Sequence, residues 1–129
     1  MPTEPLTPPE VPIVPGPYAA AVLATGTRLL AISGQLAVDS DGELVGQGDA
    51  EQQARQCLRN VDTLLRTAGA EKEDIVSVTV LLTDMGDRPA VARAREEYFG
   101  DHRPAATLFE VAALVRPEFK VEIEATALF

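Results

Sequence analysis

The last eleven residues of the chain, FKVEIEATALF (119–129), alternate two kinds of side chain. Apolar side chains recur at every second position: Val121, Ile123, Ala125 and Ala127. The positions between them are mainly polar or charged: Lys120, Glu122, Glu124, Thr126 and Leu128. A period of two residues is typical of a β-strand with one face against a core. The stretch therefore predicts a sheet, and the rest of the chain predicts what packs on it.

Two further segments predict strands of the same sheet. DIVSVTVLLTDM (74–85) is rich in β-branched residues, and AATLFEVAAL (105–114) alternates. In the first segment one face is expected to carry Val76, Val78, Val80 and Leu82. In the second segment one face is expected to carry Ala106, Leu108 and Glu110. A lone acid on an apolar face, as at Glu110, suggests that this strand lines a site.

Two helices are expected between the strands. The first begins at Asp49, with Gln52 at the spacing of a capping box, and ends before Gly69. The second begins after Asp87, which is expected to cap it, with Pro89 in the first turn. The predicted order is ββ(β)αβαββ, an α+β fold with two helices packed on one face of a sheet.

The N-terminal segment has its own composition. Residues 1–17 contain seven of the ten prolines. This predicts an extended arm over residues 1–15, ahead of a single domain over residues 16–129. A mobile arm is favoured over the alternative, a proline-rich motif that docks in an aromatic groove.

The segment after the arm predicts two turns. Apolar runs flank Gly26-Thr27, which predicts a hairpin, and Asp41-Gly42 predicts a turn before a brief strand at residues 43–45.

Composition and charge exclude several classes of function. The 129 residues carry a formal net charge of -9, from 20 acids against 11 scattered bases, which argues against a nucleic-acid partner. No apolar run approaches about 18 residues, so no membrane span is expected. No basic-then-apolar start predicts a signal peptide, and the protein is expected in the cytoplasm.

The residue types that hold metals are scarce. His102 is the single histidine, and we expect it to face solvent from a loop. Cys57 is the single cysteine, and we expect it to pack in the stripe of the first helix. The sequence therefore predicts neither a metal nor a cofactor.

The second face of the predicted sheet is mostly apolar but carries a few acids. Such a face is not expected to be bare to water. Another subunit is therefore predicted to cover it, with clefts where the acids gather.

Seven short motifs also occur in the order and spacing of a known family. They are GPY (16–18), SGQ (33–35), QQARQCLRNV (52–61), DIVSVTVLLTDM (74–85), EYF (97–99), RPA (103–105) and VEIEA (121–125). On these motifs the chain resembles the reactive intermediate deaminase family, also called Rid or YjgF, over about residues 16–127. The resemblance implies a chorismate-mutase-like (YjgF-type) α+β fold and a homotrimer, with small-molecule clefts between subunits. It also implies hydrolysis of 2-imino or enamine acids to ammonia and a 2-oxo acid.

The resemblance assigns site residues one by one. Tyr18 matches the tyrosine that closes the cleft, and Ser33 and Gly34 match the loop beneath it. Thr107 matches a small hydroxyl residue of the penultimate strand, which also contributes Leu108 and Glu110 to the expected substrate site. Glu122 matches the acid that positions or activates water, and it is the expected catalytic residue.

The same resemblance identifies what is missing. In the family an arginine follows the Pro-Ala of the penultimate strand and clamps the substrate carboxylate. Here that position is Ala106. A family asparagine falls on Ala92, and a tyrosine falls on Arg95. Arg95 or Arg103 could supply a displaced anchor. The alternative is that Arg95 is an exposed helix residue and that Arg103 only flanks a turn.

Each of the remaining candidates also has a purely structural interpretation. Tyr18 could only pack, and Ser33 could only end a strand. Glu110 and Glu122 could be buried acids satisfied by backbone donors.

Three functions remain open at this stage. The first is a deaminase- or hydrolase-type enzyme acting on a reactive imine, enamine or related carbonyl compound, with weak or no activity on simple 2-imino acids. The second is a non-catalytic trimeric ligand-binding or regulatory protein. The third, an endoribonuclease, is disfavoured by the acidic charge.

Overall fold

The computed structural model describes residues 3–129. Its strands and helices, in chain order, are β1 (Thr3–Leu6), β2 (Ala21–Ala24), β3 (Leu29–Gln35), α1 (Ala50–Ala68), β4 (Ile75–Leu82), α2 (Arg88–Phe99), β5 (Ala105–Glu110) and β6 (Val121–Leu128). Short 3₁₀ turns at Lys72–Asp74 and Met85–Asp87 lead into β4 and α2. Within residues 3–129, no helix combines the length and the apolar character needed to cross a membrane.

Strand β6 lies inside a four-stranded mixed sheet with the order β3-β6-β4-β5. It is antiparallel to β3 and to β4, and β4 is parallel to β5. Strands β1 and β2 form a separate antiparallel pair. The buried side chains of both helices join those of the larger sheet in one core. The predicted α+β fold, with two helices packed on one face of a sheet, is confirmed.

The alternation of β6 separates the two faces of the sheet as predicted. The buried positions of this strand are the apolar ones: Val121, Ile123, Ala125 and Ala127. On the opposite face Glu122 is half-buried and Glu124 is exposed. We refer to this second face, which does not contact the helices, as the open face.

The predicted faces of β4 are correct except at the start of the strand. Val78, Val80 and Leu82 are buried, but Ile75 is fully buried in place of Val76. A register shift between Ile75 and Ser77 inserts one extra residue into the pairing with β6. Such a bulge reverses the side to which the preceding residues point, so Ile75 joins the core.

Helix α1 begins and ends where predicted. The Asp49 side chain accepts a hydrogen bond from the Gln52 backbone N–H at 3.0 Å. Gly69 ends the helix in the left-handed region, with a φ of 86°, which glycine adopts without strain. Cys57 is buried in the helix stripe, and burial raises the pKa of its thiol to about 12. It therefore packs as a small apolar residue, as predicted.

Gln53 is a buried polar residue that the sequence pattern did not reveal. Its Nε2 atom donates to the carbonyl oxygens of Gly46 and Glu118 at 3.0 and 3.1 Å. Its Oε1 atom accepts the Lys120 backbone N–H at 2.8 Å. Because both ends of the amide are hydrogen-bonded, its burial is tolerated. These three bonds fix the start of β6 against α1.

Helix α2 begins at Arg88 with Pro89 in its first turn, and Asp87 occupies the predicted N-cap position, but it does not cap the helix through its side chain. The Asp87 side chain makes no capping hydrogen bond. The 3₁₀ turn before the helix gives Asp87 a helical backbone, with φ of -84° and ψ of -3°. The residue that caps this turn is Asp84, whose Oδ1 atom accepts the Gly86 N–H at 2.8 Å.

The described part of the N-terminal segment contains strand β1 and, after it, a turn in which the Val11 N–H donates to the Pro8 carbonyl oxygen at 3.0 Å. Thr3 lies opposite Ala24 and Leu6 lies opposite Ala21 in an antiparallel ladder. Pro5 is tolerated there because prolines can occupy outer strands.

The predicted hairpin at Gly26-Thr27 is wrong. The backbone N–H groups of Thr27 and Arg28 both donate to the Phe129 carbonyl oxygen, at 3.0 and 2.8 Å. The segment is thus bonded to the end of the chain, and β3 pairs with β6 while β2 pairs with β1.

The predicted turn at Asp41-Gly42 is present, with the Gly42 N–H bonded to the Asp39 carbonyl oxygen at 3.0 Å. The brief strand predicted at residues 43–45 is reduced to a single bridge between Val38 and Leu44.

Replacing Gln53 with Leu should lower the free energy of unfolding by roughly 3 kcal/mol, because three buried backbone groups lose their partners at about 1 kcal/mol each. Chemical denaturation at fixed protein concentration measures the change. The matched control is Gln52→Leu, since Gln52 is the exposed neighbour on the same helix. It should change stability by less than about 0.5 kcal/mol. Equal stability of both variants would contradict the role given to Gln53.

Candidate functional site

A cleft of about 660 Å³ lies beside the edge strand β5. One wall is the segment Val14–Tyr18, and a second is helix α2 with Met85 before it. The third wall is formed by Ala106 and Leu108 of β5. A long hydrogen bond of 3.4 Å, from Arg88 Nη2 to the Pro15 carbonyl oxygen, joins the first two walls.

Tyr18 is positioned at the cleft by the backbone that follows it. The Ala19 N–H donates to the Pro104 carbonyl oxygen at 3.1 Å, and Ala19 forms a parallel bridge with Ala105. The Tyr18 ring packs over Gly16, where a Cβ atom would lie 3.1 Å from the ring. A larger residue at position 16 would therefore crowd the Tyr18 ring. Tyr18 is half-buried and borders the cleft.

Strand β5 lines the cleft with small or apolar side chains. Ala106 lies opposite Val78 and Leu108 lies opposite Val80 in the parallel pairing with β4. Because Val78 and Val80 are buried in the core, Ala106 and Leu108 face the side of the sheet that carries the helices. Neither side chain can bind an anion.

Arg95 is buried at the cleft, although the favoured expectation was an exposed helix residue. Its relative exposure is 4%, and it lines the cleft together with Ala92 and Ala106. Its Nε and Nη2 atoms have no hydrogen-bond partner within residues 3–129. The sequence pattern missed this burial because an arginine on a helix is ordinarily a surface residue.

The electrostatics of Arg95 follow from this burial. The pKa of Arg95 is lowered to about 10, mainly by loss of solvation and also by the nearby charge of Arg88, while Glu96 opposes the change. The guanidinium is still protonated at neutral pH. The cleft therefore contains a cation without a hydrogen-bond partner among the described residues, which favours an anionic ligand.

The other candidate anchor does not reach the cleft. Arg103 donates from Nη1 to the carbonyl oxygens of Gly100 and His102, so it stabilises the turn after α2, in line with its structural interpretation. His102 was expected to face solvent, but it is half-buried, with its Nε2 atom 2.7 Å from the Ile75 carbonyl oxygen. Both residues hold the loop before β5 in place.

Two predicted residues of β5 lie outside the cleft. Glu110 is exposed, and its Oε1 atom accepts the Met85 backbone N–H at 2.8 Å. It thereby ties the end of β5 to the 3₁₀ turn before α2. Thr107 is exposed on the open face, opposite Thr79 of β4.

Glu122, Ser33 and Gly34 form a second group on the open face. Glu122 lies on β6, and its side chain covers Gly34 so closely that a Cβ atom there would be 1.9 Å from Glu122 Oε2. Ser33 is exposed beside this contact. None of the three lines the cleft that contains Tyr18 and Arg95. One chain thus carries two groups of candidate site residues on opposite sides of its sheet, and we refer to these groups as the two partial sites.

Sequence reasoning did not identify Arg88 and the segment before Tyr18 as cleft residues. Arg88 borders the cleft from the first position of α2. Val14 and Pro15 lie in the proline-rich region that was expected to be an arm. The GPY motif was the available signal, because it fixes the backbone immediately after these prolines.

Within the part of the chain that the structure describes, no group of three His, Cys, Asp or Glu side chains is placed to hold a metal ion.

Comparisons with known proteins show which family this chain is similar to. A family profile described as Endoribonuclease L-PSP matches residues 10–129. The chain is 41% identical over 114 residues to human 2-iminobutanoate/2-iminopropanoate deaminase, covering 88% of this chain and 80% of the human protein.

Solved structures of two bacterial proteins have the same fold. The Rid-family protein YyfB from Yersinia pestis aligns over 100% of both chains with a TM-score of 0.91 and 34% identity. TdcF from E. coli, solved with bound serine, aligns over 98% of both chains with a TM-score of 0.73 and 30% identity.

Replacing Arg95 with Met should raise the free energy of unfolding at pH 7. A pKa lowered to about 10 by burial corresponds to a cost of roughly 3 kcal/mol for the protonated form. Between about pH 10 and the ordinary pKa of arginine, residue 95 keeps its proton in the unfolded chain but has lost it in the folded chain. The stability of the wild type relative to the variant should therefore rise in that window.

Chemical denaturation of both proteins across this pH range measures the effect. The matched control is Arg93→Met on the same helix, since Arg93 is exposed and pairs with Glu51 at the surface. It should change stability by at most about 1 kcal/mol. A large loss of stability in Arg95→Met would contradict the absence of a partner for this guanidinium.

Proposed function

The chain belongs to the reactive intermediate deaminase (Rid/YjgF) family, and we propose that it is a deaminase- or hydrolase-type enzyme. Its substrate is a small reactive imine, enamine or related carbonyl compound other than a simple 2-imino acid. For an imine, water adds to the carbon, the C–N bond breaks, and ammonia and a carbonyl compound leave. The observation that carries the proposal is the cleft bordered by Tyr18 and α2, together with the Glu122 side chain held on Gly34.

In this proposal Glu122 moves the proton. A carboxylate can take a proton from the attacking water and return it to the departing nitrogen, which typically accelerates such a step 10²- to 10⁴-fold. The contact with Gly34 fixes the position of the carboxylate, because the absence of a Cβ atom lets it lie directly on the backbone. Ser33, beside it, would orient the water or the substrate.

The two partial sites require a second copy of the chain to meet. We infer a homotrimer in which the neighbouring copy brings Glu122, Ser33 and Gly34 to the cleft of Tyr18 and Arg95. The open face supports this inference, because Leu29 and Phe109 lie on it with 70% and 46% exposure. Apolar side chains of this size are ordinarily covered at an interface.

The substrate class follows from Ala106. A charge-assisted hydrogen bond to an anion contributes about 1.5–3 kcal/mol, and Ala106 supplies none at the position of the family clamp. A 2-imino acid held by its carboxylate at that position would lose this binding. The proposal therefore excludes simple 2-imino acids as good substrates.

A non-catalytic binding protein is the second candidate, and one observation favours it. The acid that would transfer protons does not line the cleft of its own chain. If the copies do not bring Glu122 to that cleft, the protein binds its ligand without converting it. An endoribonuclease is disfavoured by the net charge of -9, although the matching family profile carries that description.

Replacing Glu122 with Gln should reduce turnover of an accepted imine or enamine at least about 100-fold, because the shape is kept while the proton-transfer group is lost. Ammonia release measures turnover, and sedimentation should show that the variant keeps the wild-type assembly. If the variant hydrolyses the substrate at the normal rate, Glu122 has only a structural role. A variant that dissociates would favour assembly as its role and strengthen the binding-protein alternative.

Gly34→Ala provides a second test of the same acid without changing it. The added Cβ atom must displace the Glu122 side chain, so turnover should fall although both carboxylate oxygens remain. Gly16→Ala is not a suitable control, because Gly16 contacts Tyr18. The matched control for Glu122→Gln is Glu124→Gln, since Glu124 is the exposed acid on the same face of β6.

Simple 2-imino acids generated in place from serine or threonine should be hydrolysed slowly or not at all. The reason is Ala106 at the clamp position. Ala106→Arg alone should restore little, because it adds a further guanidinium to a cleft that already contains Arg88 and Arg95. The double variant Ala106→Arg with Arg95→Tyr should restore more. Rapid ammonia release by the wild type would contradict the expected substrate class.

A further inference from the structure

Arg95 poses a physical problem that residues 3–129 do not solve. A buried guanidinium loses its water, and native structures compensate with hydrogen-bonded partners. Arg95 is 96% buried, from an exposure of 4%, yet Nε and Nη2 find no acceptor within residues 3–129. The acceptor is therefore expected from outside residues 3–129, and the cleft is where it can enter.

The identity of the two free atoms indicates the shape of that acceptor. Nε–H and one Nη2–H point in parallel along the same edge of the guanidinium plane. Two parallel donors match the two oxygens of one carboxylate in a bidentate pair. A single carbonyl oxygen or a halide would leave one of the donors unsatisfied.

The surroundings leave room for such a ligand. Ala92 precedes Arg95 on α2 by three residues, so the two share a face of the helix. Ala106 borders the same cleft from β5. These are the positions at which the family resemblance expects an asparagine and an arginine. The side chains at both positions are small, and Arg95 itself lines the cleft beside them.

We propose that Arg95 binds the carboxylate of the ligand of this cleft, replacing from helix α2 the anchor that is missing at Ala106 of strand β5. The inference rests on the proposed function in that the cleft is the ligand site. It also refines the substrate class to carboxylate-bearing compounds. An anchor on a different element shifts the ligand relative to Glu122, so the carboxylate is not attached directly to the reacting carbon.

Two other groups compete for this role. Arg88 also borders the cleft, but it is exposed and bonded to the Pro15 carbonyl oxygen. An acid of a second copy could instead pair with Arg95. Each alternative predicts a different result in one binding experiment.

The experiment is a titration followed by NMR with ¹⁵N-labelled protein. The Nε–Hε signal of Arg95 is identified as the one that disappears in Arg95→Met. The probes are 4-oxopentanoate, whose carboxylate is separated from its carbonyl carbon, its neutral amide 4-oxopentanamide, and chloride. The Arg95 signal should shift and saturate with the carboxylate and not with the amide or with chloride.

The variants then assign the binding. Arg95→Met should weaken carboxylate binding roughly 10- to 100-fold, to the level of the amide. Arg93→Met is the matched control on the same helix, and it should bind like the wild type. Arg95→Lys should recover only part of the affinity, because an ammonium cannot make the bidentate pair.

Four results would overturn the proposal. They are an Arg95 signal that does not respond, equal binding in Arg95→Met, loss of binding in Arg88→Met alone, and loss of the native assembly in Arg95→Met through a broken pair with another copy. No step of this experiment measures turnover. A failure of the proposed hydrolysis therefore shows in the Glu122 variants, while a failure of the anchor shows here.

Discussion

The double pairing of β6 is the constraint on which the rest of the structure depends. Its neighbours β3 and β4 bond to both of its edges, and its apolar positions are buried against the helices. A shift of one residue would move Glu122 into the core, so the register is strongly specified. Gln53 adds to this by bonding the Lys120 N–H immediately before the strand. The position of Glu122 over Gly34 is a direct consequence of that register.

A second constraint acts against stability and is concentrated at the cleft. Arg95 is buried with no acceptor for its Nε and Nη2 atoms among residues 3–129, and burial lowers its pKa. Such groups persist where function requires them, because an apolar residue of similar size would be more favourable for folding alone. The free-energy cost of burying Arg95 is local to the cleft. The group formed by Glu122 and Gly34 lies on the other face of the sheet. If Arg95 is the anchor that we propose, stability and ligand binding are opposed at one residue of α2.

Local patterns made most of the fold predictable, and non-local contacts account for what was missed. The bounds of helix α1 were predictable from its capping residues, and the two faces of β6 were predictable from the alternation of apolar and polar residues. The bulge that buries Ile75 depends on the pairing partner of β4, which no local pattern contains. The bonding of Thr27 to Phe129 likewise joins distant parts of the chain. At the site, the resemblance pointed to the gap at Ala106, but only the packing of α2 showed that Arg95 is buried beside it.

The separation of the two partial sites has a consequence for how this protein can change its ligand. In the proposed trimer, Arg95 belongs to one copy and Glu122 to its neighbour, so binding and proton transfer reside on different chains. Moving the anchor from β5 to α2 alters only the binding group and leaves the contact between Glu122 and Gly34 untouched. Recognition can then shift to a ligand whose carboxylate lies elsewhere, while the chemistry of adding water is preserved. Under this proposal, the absence of an arginine at Ala106 corresponds to a displaced anchor and not to the loss of a site.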